Sequence, residues 1–447
     1  MNLIKAFRLP SSPTVAFSGA GGKTTAMFQM AHELDGPVII TTTTHLGVWQ
    51  IPLTDKHIIA KTPAPIEAME HGMSGIILVT GEIRDERTEP ISDRVLRWLR
   101  EFCGYHSLPL LIEADGSRQK PLKAPAEHEP AIPGFVKQVV QVVGLQGLGK
   151  PLSEECVHRP EIFTRLSGLK LGETITPEAL VRVLNHPNGG LKNIPENTRR
   201  VVLLNQADTP ELQSQADSIA KSLLPSYHSV TIASLKEEMI HAVREPIAGI
   251  ILAAGESTRF GQPKQLLDWR GEPFVRAVVK TALESGLSPV IVVTGASAEH
   301  VETAVQDLPV QIARNTEWQS GQASSIKVGL STLTPAPSPY KGEGSPGGAI
   351  FLLTDQPQIT PPILHALMDE HAATLDPIIA PLILDRRGNP VLFDRITFPD
   401  LMKLEGDVGG RGIFSRHKVN YLPWHDDALL LDVDTPEHYQ RLKDLLE

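Results

Sequence analysis

Leu252-Ala253-Ala254-Gly255-Glu256-Ser257-Thr258-Arg259-Phe260-Gly261-Gln262-Pro263-Lys264 is the stretch that decides how this chain is read. It continues an apolar run beginning at Ile247, which reads as a buried strand. Small residues in the turn after a strand let backbone N–H groups come close to a triphosphate, where bulky side chains would block the approach. Arg259 and Lys264 then place positive charge beside the turn. Strand, Ala/Gly turn, Arg and Lys in this order point to nucleotide activation, in which a triphosphate loses pyrophosphate.

Outward from this stretch the second half alternates strands and helices. Strands are expected at 290–294, 310–313, 349–353 and 378–381, and helices at 273–284, 298–305, 324–333 and 361–373. Sheets of this kind bind ligands at the carboxyl ends of their strands. Asp355 falls at such an end and offers a hard carboxylate oxygen of the kind Mg2+ prefers. A second acidic pair, Asp432 and Asp434, would share one side of a continuing strand, so that Asp355 and Asp434 could hold the metal between them. Asp434 could equally cap the helix that starts at Thr435-Pro436-Glu437. Asn315 and Ser324 lie near predicted strand and helix ends, where polar groups meet a nucleotide or simply cap. Residues 334–348 are rich in Pro, Gly and Ser and read as a flexible surface insertion.

The first half repeats the logic. Thr14 to Ser18 reads as a strand, and Gly19-Ala20-Gly21-Gly22-Lys23-Thr24-Thr25 follows it and opens a helix. That is the setting of a phosphate-binding P-loop, although its usual first glycine would fall at Phe17. Gly19, Gly21 and Gly22 supply amides, Lys23 a charge, and Thr24 and Thr25 hydroxyls for phosphate and magnesium. Glu113 and Asp115 end another strand, with Asp115 placed to organise a metal. Thr41 to Thr44, with His45, follow a strand as a hydroxyl-rich phosphate sensor or as its continuation. Asn205 and Asp208 match the ends of an Asn-Lys-x-Asp base-recognition motif, with Gln206 in place of Lys, or form an ordinary turn. Strands are expected at 38–41, 76–80, 108–113, 139–143 and 201–204, and helices at 24–34, 91–101, 177–184 and 211–224. The expected fold class is α/β: a P-loop-like parallel-sheet domain over 1–240, then a Rossmann-like domain over 246–447, with the boundary between Ser234 and Pro246.

At 447 residues, two or three domains are expected. A formal net charge of -10 argues against non-specific nucleic-acid binding. Cys103 and Cys156 sit in no CxxC pattern and read as free thiols of a reducing cytoplasm. No HxH or HExxH spacing occurs among the 16 histidines; His45, His128 and His158 are read as hydrogen-bonding groups. No apolar stretch approaches the length of a membrane span, and the N-terminus lacks the apolar segment of a signal peptide. A cytoplasmic location is expected.

The residues of the second half also carry a resemblance. The 252–264 stretch, Asp355 and Asp432-Val433-Asp434-Thr435-Pro436 resemble the molybdopterin nucleotidyltransferase group of GT-A-like enzymes, as do Gly388-Asn389-Pro390-Val391-Leu392-Phe393 and Gly406-Asp407-Val408-Gly409-Gly410-Arg411. Ala253-Ala254-Gly255 is like the cytidylyltransferase branch, where the guanylyltransferase branch usually shows Ala-Gly-Gly. Asn389 replaces the usual His of its segment. The resemblance implies a molybdenum cofactor cytidylyltransferase that joins CMP from CTP to the pterin's terminal phosphate. Arg259 and Lys264 would meet the triphosphate, and Asp355 and Asp434 would hold Mg2+. Leu252, Ala253, Ala254 and Gly255 would cradle the nucleotide, and Asn389 and Arg411 would meet the pterin substrate. A guanylyltransferase, a sugar-phosphate nucleotidyltransferase and a nucleotide-switched cofactor carrier stay open. The first half resembles the YqeC-like accessory proteins of selenium-dependent molybdenum hydroxylases. Gly19 to Thr25, Thr41 to His45, Glu113 to Gly116 and Pro121 to Pro130 carry that likeness. It implies ATP or GTP binding in the same maturation pathway, with a molybdenum hydroxylase apoenzyme as partner.

Overall fold

The computed structural model describes residues 1–70, 72–256, 260, 262–333 and 345–444. The chain forms two compact units, Met1–Arg244 and Glu245–Glu447. Among the described residues no helix is long and apolar enough to cross a membrane.

The first unit is built on a nine-stranded sheet. Its strands are β1 (Thr14–Gly19), β2 (Val38–Thr42), β3 (Lys56–Ile59), β4 (Ile76–Thr80), β5 (Leu110–Glu113), β6 (Gln138–Gly144), β7 (Arg199–Asn205), β8 (Ser229–Ser234) and β9 (Met239–Arg244). They lie in the order β9-β8-β7-β6-β1-β5-β2-β4-β3. All pairs are parallel except β8 with β9. The central strands are apolar along their length because both faces are covered. One core gathers Ile39, Ile77, Leu99, Phe102 and Ile112; the other gathers Phe163, Leu180, Val202, Ile219 and Leu223. Helices α1 (Lys23–Glu33), α2 (Asp93–Tyr105), α3 (Pro160–Ser167), α4 (Pro177–Asn185) and α5 (Pro210–Leu223) flank the sheet. Ser92, Thr176 and Thr209 accept from the third residue beyond them and so start α2, α4 and α5, the last two with proline in the first turn. Register pairs Phe17 with Glu113, Gly19 with Val142, and Gly144 with Asn205, so the loops after β1, β5, β6 and β7 meet at one edge.

The second unit holds an eight-stranded sheet. Its strands are β10 (Ile247–Ala253), β11 (Val290–Thr294), β12 (Gln311–Arg314), β13 (Gly348–Leu353), β14 (Ile378–Ile383), β15 (Arg386–Arg387), β16 (Val391–Asp394) and β17 (Val419–Pro423). The order is β12-β11-β10-β13-β16-β14-β15, with β17 parallel to β14. β10, β11, β12 and β13 run parallel, so Ala253, Thr294, Arg314 and Leu353 end at a common edge. Helices α6 (Phe274–Glu284), α7 (Ala298–Val305), α8 (Gln322–Leu333), α9 (Pro361–Thr374) and α10 (Pro436–Asp444) complete the unit.

The division after Arg244 falls between Ser234 and Pro246, with the edge strand β9 on its first-unit side. The stretch around Val391 is a strand antiparallel to both β13 and β14, so this sheet is mixed. One expectation needs correction: Asp432-Val433-Asp434 is not a strand. Its Val433 is fully buried and donates its N–H to the Asp355 carbonyl at 3.2 Å, and Thr435 rather than Asp434 accepts from the α10 backbone at His438.

Candidate functional site

In the second unit, Asp355 follows the end of β13 and Lys264 lies in the short turn after Pro263. The Lys264 ammonium donates to Asp434 Oδ1 at 2.8 Å and to Asp355 Oδ2 at 3.3 Å. Three residues far apart in sequence therefore share one point at the carboxyl edge of the sheet. Burial works against the Lys264 charge, but the hydrogen bond to Asp434 and the charge of Asp355 outweigh it and raise its pKa. Burial likewise raises Asp355, and Lys264 only partly opposes it, in keeping with the longer of the two contacts. The other oxygen of Asp355, Oδ1, is buried without a hydrogen-bond partner. Asp432 turns aside: its Oδ1 accepts from Gln356 at 2.6 Å. Burial, then the Asp355 and Asp434 charges, raise its pKa.

The Ala253–Gly255 turn is held from behind. Gln265 donates through its amide to the carbonyls of Ala253 at 3.3 Å and Gly255 at 2.7 Å. Ala254 accepts from the N–H of Ala296 at 3.1 Å, and Leu252 from the Thr354 hydroxyl at 3.3 Å. Gln265 and the 295–296 backbone were not singled out in the sequence. The position of Gln265, directly after Lys264, was the one available signal. Arg259, with Ser257, Thr258 and Gly261, lies outside the described residues, as does 334–344 of the Pro-rich insertion.

Asn315 and Ser324 meet directly: the Asn315 amide donates to Ser324 at 2.7 Å and Ser325 at 3.0 Å. They line a cavity of about 380 Å3 together with Lys327, Glu405 and Gly406. The Gly406–Arg411 loop docks on the start of α8, where Ala323 donates to the Gly406 carbonyl at 3.1 Å and Gln322 to Asp407 at 3.3 Å. A carboxylate there complements the helix dipole. Asn389 is half-buried before β16, and Arg411 is exposed on the turn Gly410–Ile413. Among the described residues the structure joins neither to the Lys264–Asp355–Asp434 group.

In the first unit the Gly-rich turn meets a buried charge network. Asp115 accepts the Gly19 N–H on both oxygens at 3.1 Å, pairs with Lys23 at 3.1 Å and accepts from Lys123 at 2.9 Å. Lys23 also donates to the Gly19 carbonyl at 2.6 Å and is only 4% exposed. Lys123 reaches Glu129 at 2.8 Å, and Arg159 grips Glu129 with both of its terminal nitrogens at 2.6 and 2.9 Å. Burial would raise the Glu129 carboxyl, but Arg159 and Lys123 reverse that and hold it at about 2. Burial raises Glu113, whose Oε1 stands 3.9 Å from Lys23.

This placement separates the residues expected to bind nucleotide. Thr24 is half-buried and Thr25 exposed in the first turn of α1, beside the loop amides. Asn205 is buried and braces the loop: its amide donates to Gly21 O at 2.8 Å and accepts from Leu235 N–H at 3.0 Å. Gly22 has φ +126°, and a Cβ there would lie 2.3 Å from the Asn205 amide, so glycine is required. Asp208 is exposed and accepts from Gln146 at 3.1 Å. Thr41 and Thr42 continue β2, and the Thr41 hydroxyl is spent on Val79 O at 2.8 Å. Arg159 escaped the sequence reading; its left-handed φ of 65° before Pro160 is invisible in composition.

Comparison with known proteins matches residues 15–161 to the YqeC protein family and residues 249–421 to the MobA-like NTP transferase domain. An uncharacterized YqeC protein of Escherichia coli is 37% identical over 43% of this chain and 76% of its own length. Nicotine blue oxidoreductase of Paenarthrobacter nicotinovorans is 31% identical over 44% of this chain and 96% of its own. Purine catabolism protein PucB of Bacillus subtilis is 31% identical over 45% of this chain and 98% of its own. The buried network of the first unit and the Lys264–Asp355–Asp434 group of the second thus sit on two recognised frameworks: the chain belongs to the YqeC family through its first unit and to the MobA-like NTP transferases through its second.

Proposed function

We propose that the second unit transfers CMP from CTP to the terminal phosphate of a molybdopterin-type cofactor and releases pyrophosphate. The observation that carries this reading is the meeting of Lys264, Asp355 and Asp434 at the carboxyl edge of the sheet, beside the Ala253–Gly255 turn. An acceptor phosphate oxygen would attack the α-phosphorus of CTP; the new P–O bond forms as the bond to the β-phosphate oxygen breaks. No protein nucleophile is needed, so catalysis rests on position and on charge. Lys264 and Arg259 neutralise the triphosphate and the leaving pyrophosphate. Turn amides at 253–255 face the phosphates, and Asn315 and Ser324 supply polar groups to the nucleotide. Asn389 and Arg411 are assigned to the pterin.

Mg2+ fits the donors present. Asp355 and Asp434 are hard oxygen ligands, and the buried Oδ1 of Asp355 awaits a partner. Mg2+ usually keeps several waters and is held by one or two carboxylates together with substrate phosphates. The ion would supply neutralisation of the triphosphate charge.

The first unit is assigned to ATP or GTP through the loop amides, Thr24 and Thr25, acting in the same maturation pathway and on a molybdenum hydroxylase as recipient. Incubation of the protein with Mg2+, molybdopterin and each of the four NTPs tests the transfer. CTP should give pyrophosphate and the cytosine dinucleotide. A guanine product would move the protein to the guanylyltransferase branch. Redox chemistry of the kind named for the nicotine blue relative would release no pyrophosphate, and unchanged cofactor maturation by Asp355→Ala would favour a carrier.

A further inference from the structure

We infer that Glu113 is the carboxylate that holds a divalent cation in the first unit, in place of Asp115. The inference rests on the reading of this unit as a nucleotide-binding domain and names its metal ligand. Asp115 has no capacity left: the Gly19 amide, Lys23 and Lys123 occupy both of its oxygens. It acts as the anion that fastens the Gly-rich turn and two ammonium groups to the end of β5. Glu113 lies two residues earlier, in register with Phe17, one strand from the turn. It is only 6% exposed, and its Oε2 is buried without a hydrogen-bond partner. Its nearest cation, Lys23, stands at 3.9 Å and is already committed to Gly19 and Asp115.

A buried carboxylate oxygen with no donor is costly, and folded proteins keep few of them without a reason. The Glu113 main-chain carbonyl is engaged by the Thr43 N–H and by the Thr42 and Thr43 hydroxyls at 3.0, 3.1 and 3.4 Å, none of which reaches Oε2, and Thr24 opens the neighbouring helix. Carboxylate and hydroxyl oxygens beside helix-terminal amides suit Mg2+ or Mn2+ bound with a polyphosphate.

The test uses the full chain with Asp355→Asn and Asp434→Asn in every sample, which silences the second unit's carboxylates. Mn2+ alone is titrated by electron paramagnetic resonance, and ATP and GTP are titrated by calorimetry with Mg2+ or with EDTA. Glu113→Gln should remove Mn2+ binding and cut the Mg2+-dependent gain in nucleotide affinity by at least about tenfold, while affinity in EDTA is unchanged. Its thermal midpoint should hold or rise, because a neutral amide replaces a buried carboxylate whose Oε2 has no hydrogen bond to lose. Glu113→Asp keeps the carboxylate and should retain measurable Mn2+ binding. Asp115→Asn should lower the midpoint instead. Equal Mn2+ binding in Glu113→Gln and its parent, or no Mn2+ binding in the parent, overturns the assignment. Mn2+ bound only through Glu113 but no affinity for either nucleotide would keep the metal ligand and discard the nucleotide reading.

Discussion

Lys264 and Glu129 show how single side chains draw opposite consequences from burial. The Lys264 group is partly open, with side-chain exposures of 20% for Lys264, 24% for Asp355 and 49% for Asp434. Such pairs contribute little to stability. Lys264→Met should therefore lower pyrophosphate release by about 10²-fold or more while the thermal midpoint hardly moves, as kinetics and calorimetry on one preparation would show. Glu129 is buried among cations, and its folded pKa of about 2 lies below the usual 4.5. A depressed carboxyl contributes stability that is complete above the unfolded value and is lost as pH falls through the folded one. The first unit's midpoint should drop between pH 4.5 and about 2, and Glu129→Gln should flatten that slope. The same substitution leaves Lys123 and Arg159 without their anion and should cost about 3 kcal/mol at neutral pH by denaturant titration.

At the scale of elements, the start of α8 joins the Gly406–Arg411 loop to the cavity lined by Asn315 and Ser324. Gly321 has φ +107°, and a Cβ on it would fall 2.3 Å from the backbone carbon of Gly406. Gly321→Ala should destabilise the second unit by more than about 1 kcal/mol. It should also raise KM for the nucleotide more than it lowers kcat, because Asn315 and Ser324, proposed above to meet the nucleotide, line the cavity beside that junction; an unaltered KM would detach this cavity from the reaction. Helices and parallel strands were legible in both units, since the apolar period agrees with the structure at 177, 298 and 361, with proline in the first turn at 177 and 361. β16 was not, because a short apolar run reads the same whether its partners are parallel or antiparallel. Asp434 meets Lys264 without the predicted strand, and a backbone bond from Val433 to Asp355 ties the segment to the end of β13.

For the whole molecule, the two units make a prediction about where the chain can be cut. β9 pairs with β8, His241 bonds Ser234 at 2.9 Å, and Arg244 pairs with Asp217 of α5 at 2.6 Å. Residues 1–244 should fold with these contacts intact. Residues 1–238 lose them and expose β8 as a sheet edge, so they should melt lower and scatter more light on warming. Residues 245–447 should release pyrophosphate alone; a folded but inactive second unit, beside an active full chain, would contradict a site built within it.

Sequence alone determined the alternation of strands and helices, the two restarts at Gly19 and Ala253, and the chemical identity of Lys264, Asp355 and Asp434, because period, small-residue turns and charge are local properties. Only the tertiary structure decided which partners those charges take. It tied Asp115 to two lysines, left Glu113 with an unmet oxygen, and set Asn205 against the loop rather than free at its mouth. Hydrogen-bond capacity is exhausted or spared by neighbours brought from distant parts of the chain, and spacing along a sequence carries no record of them.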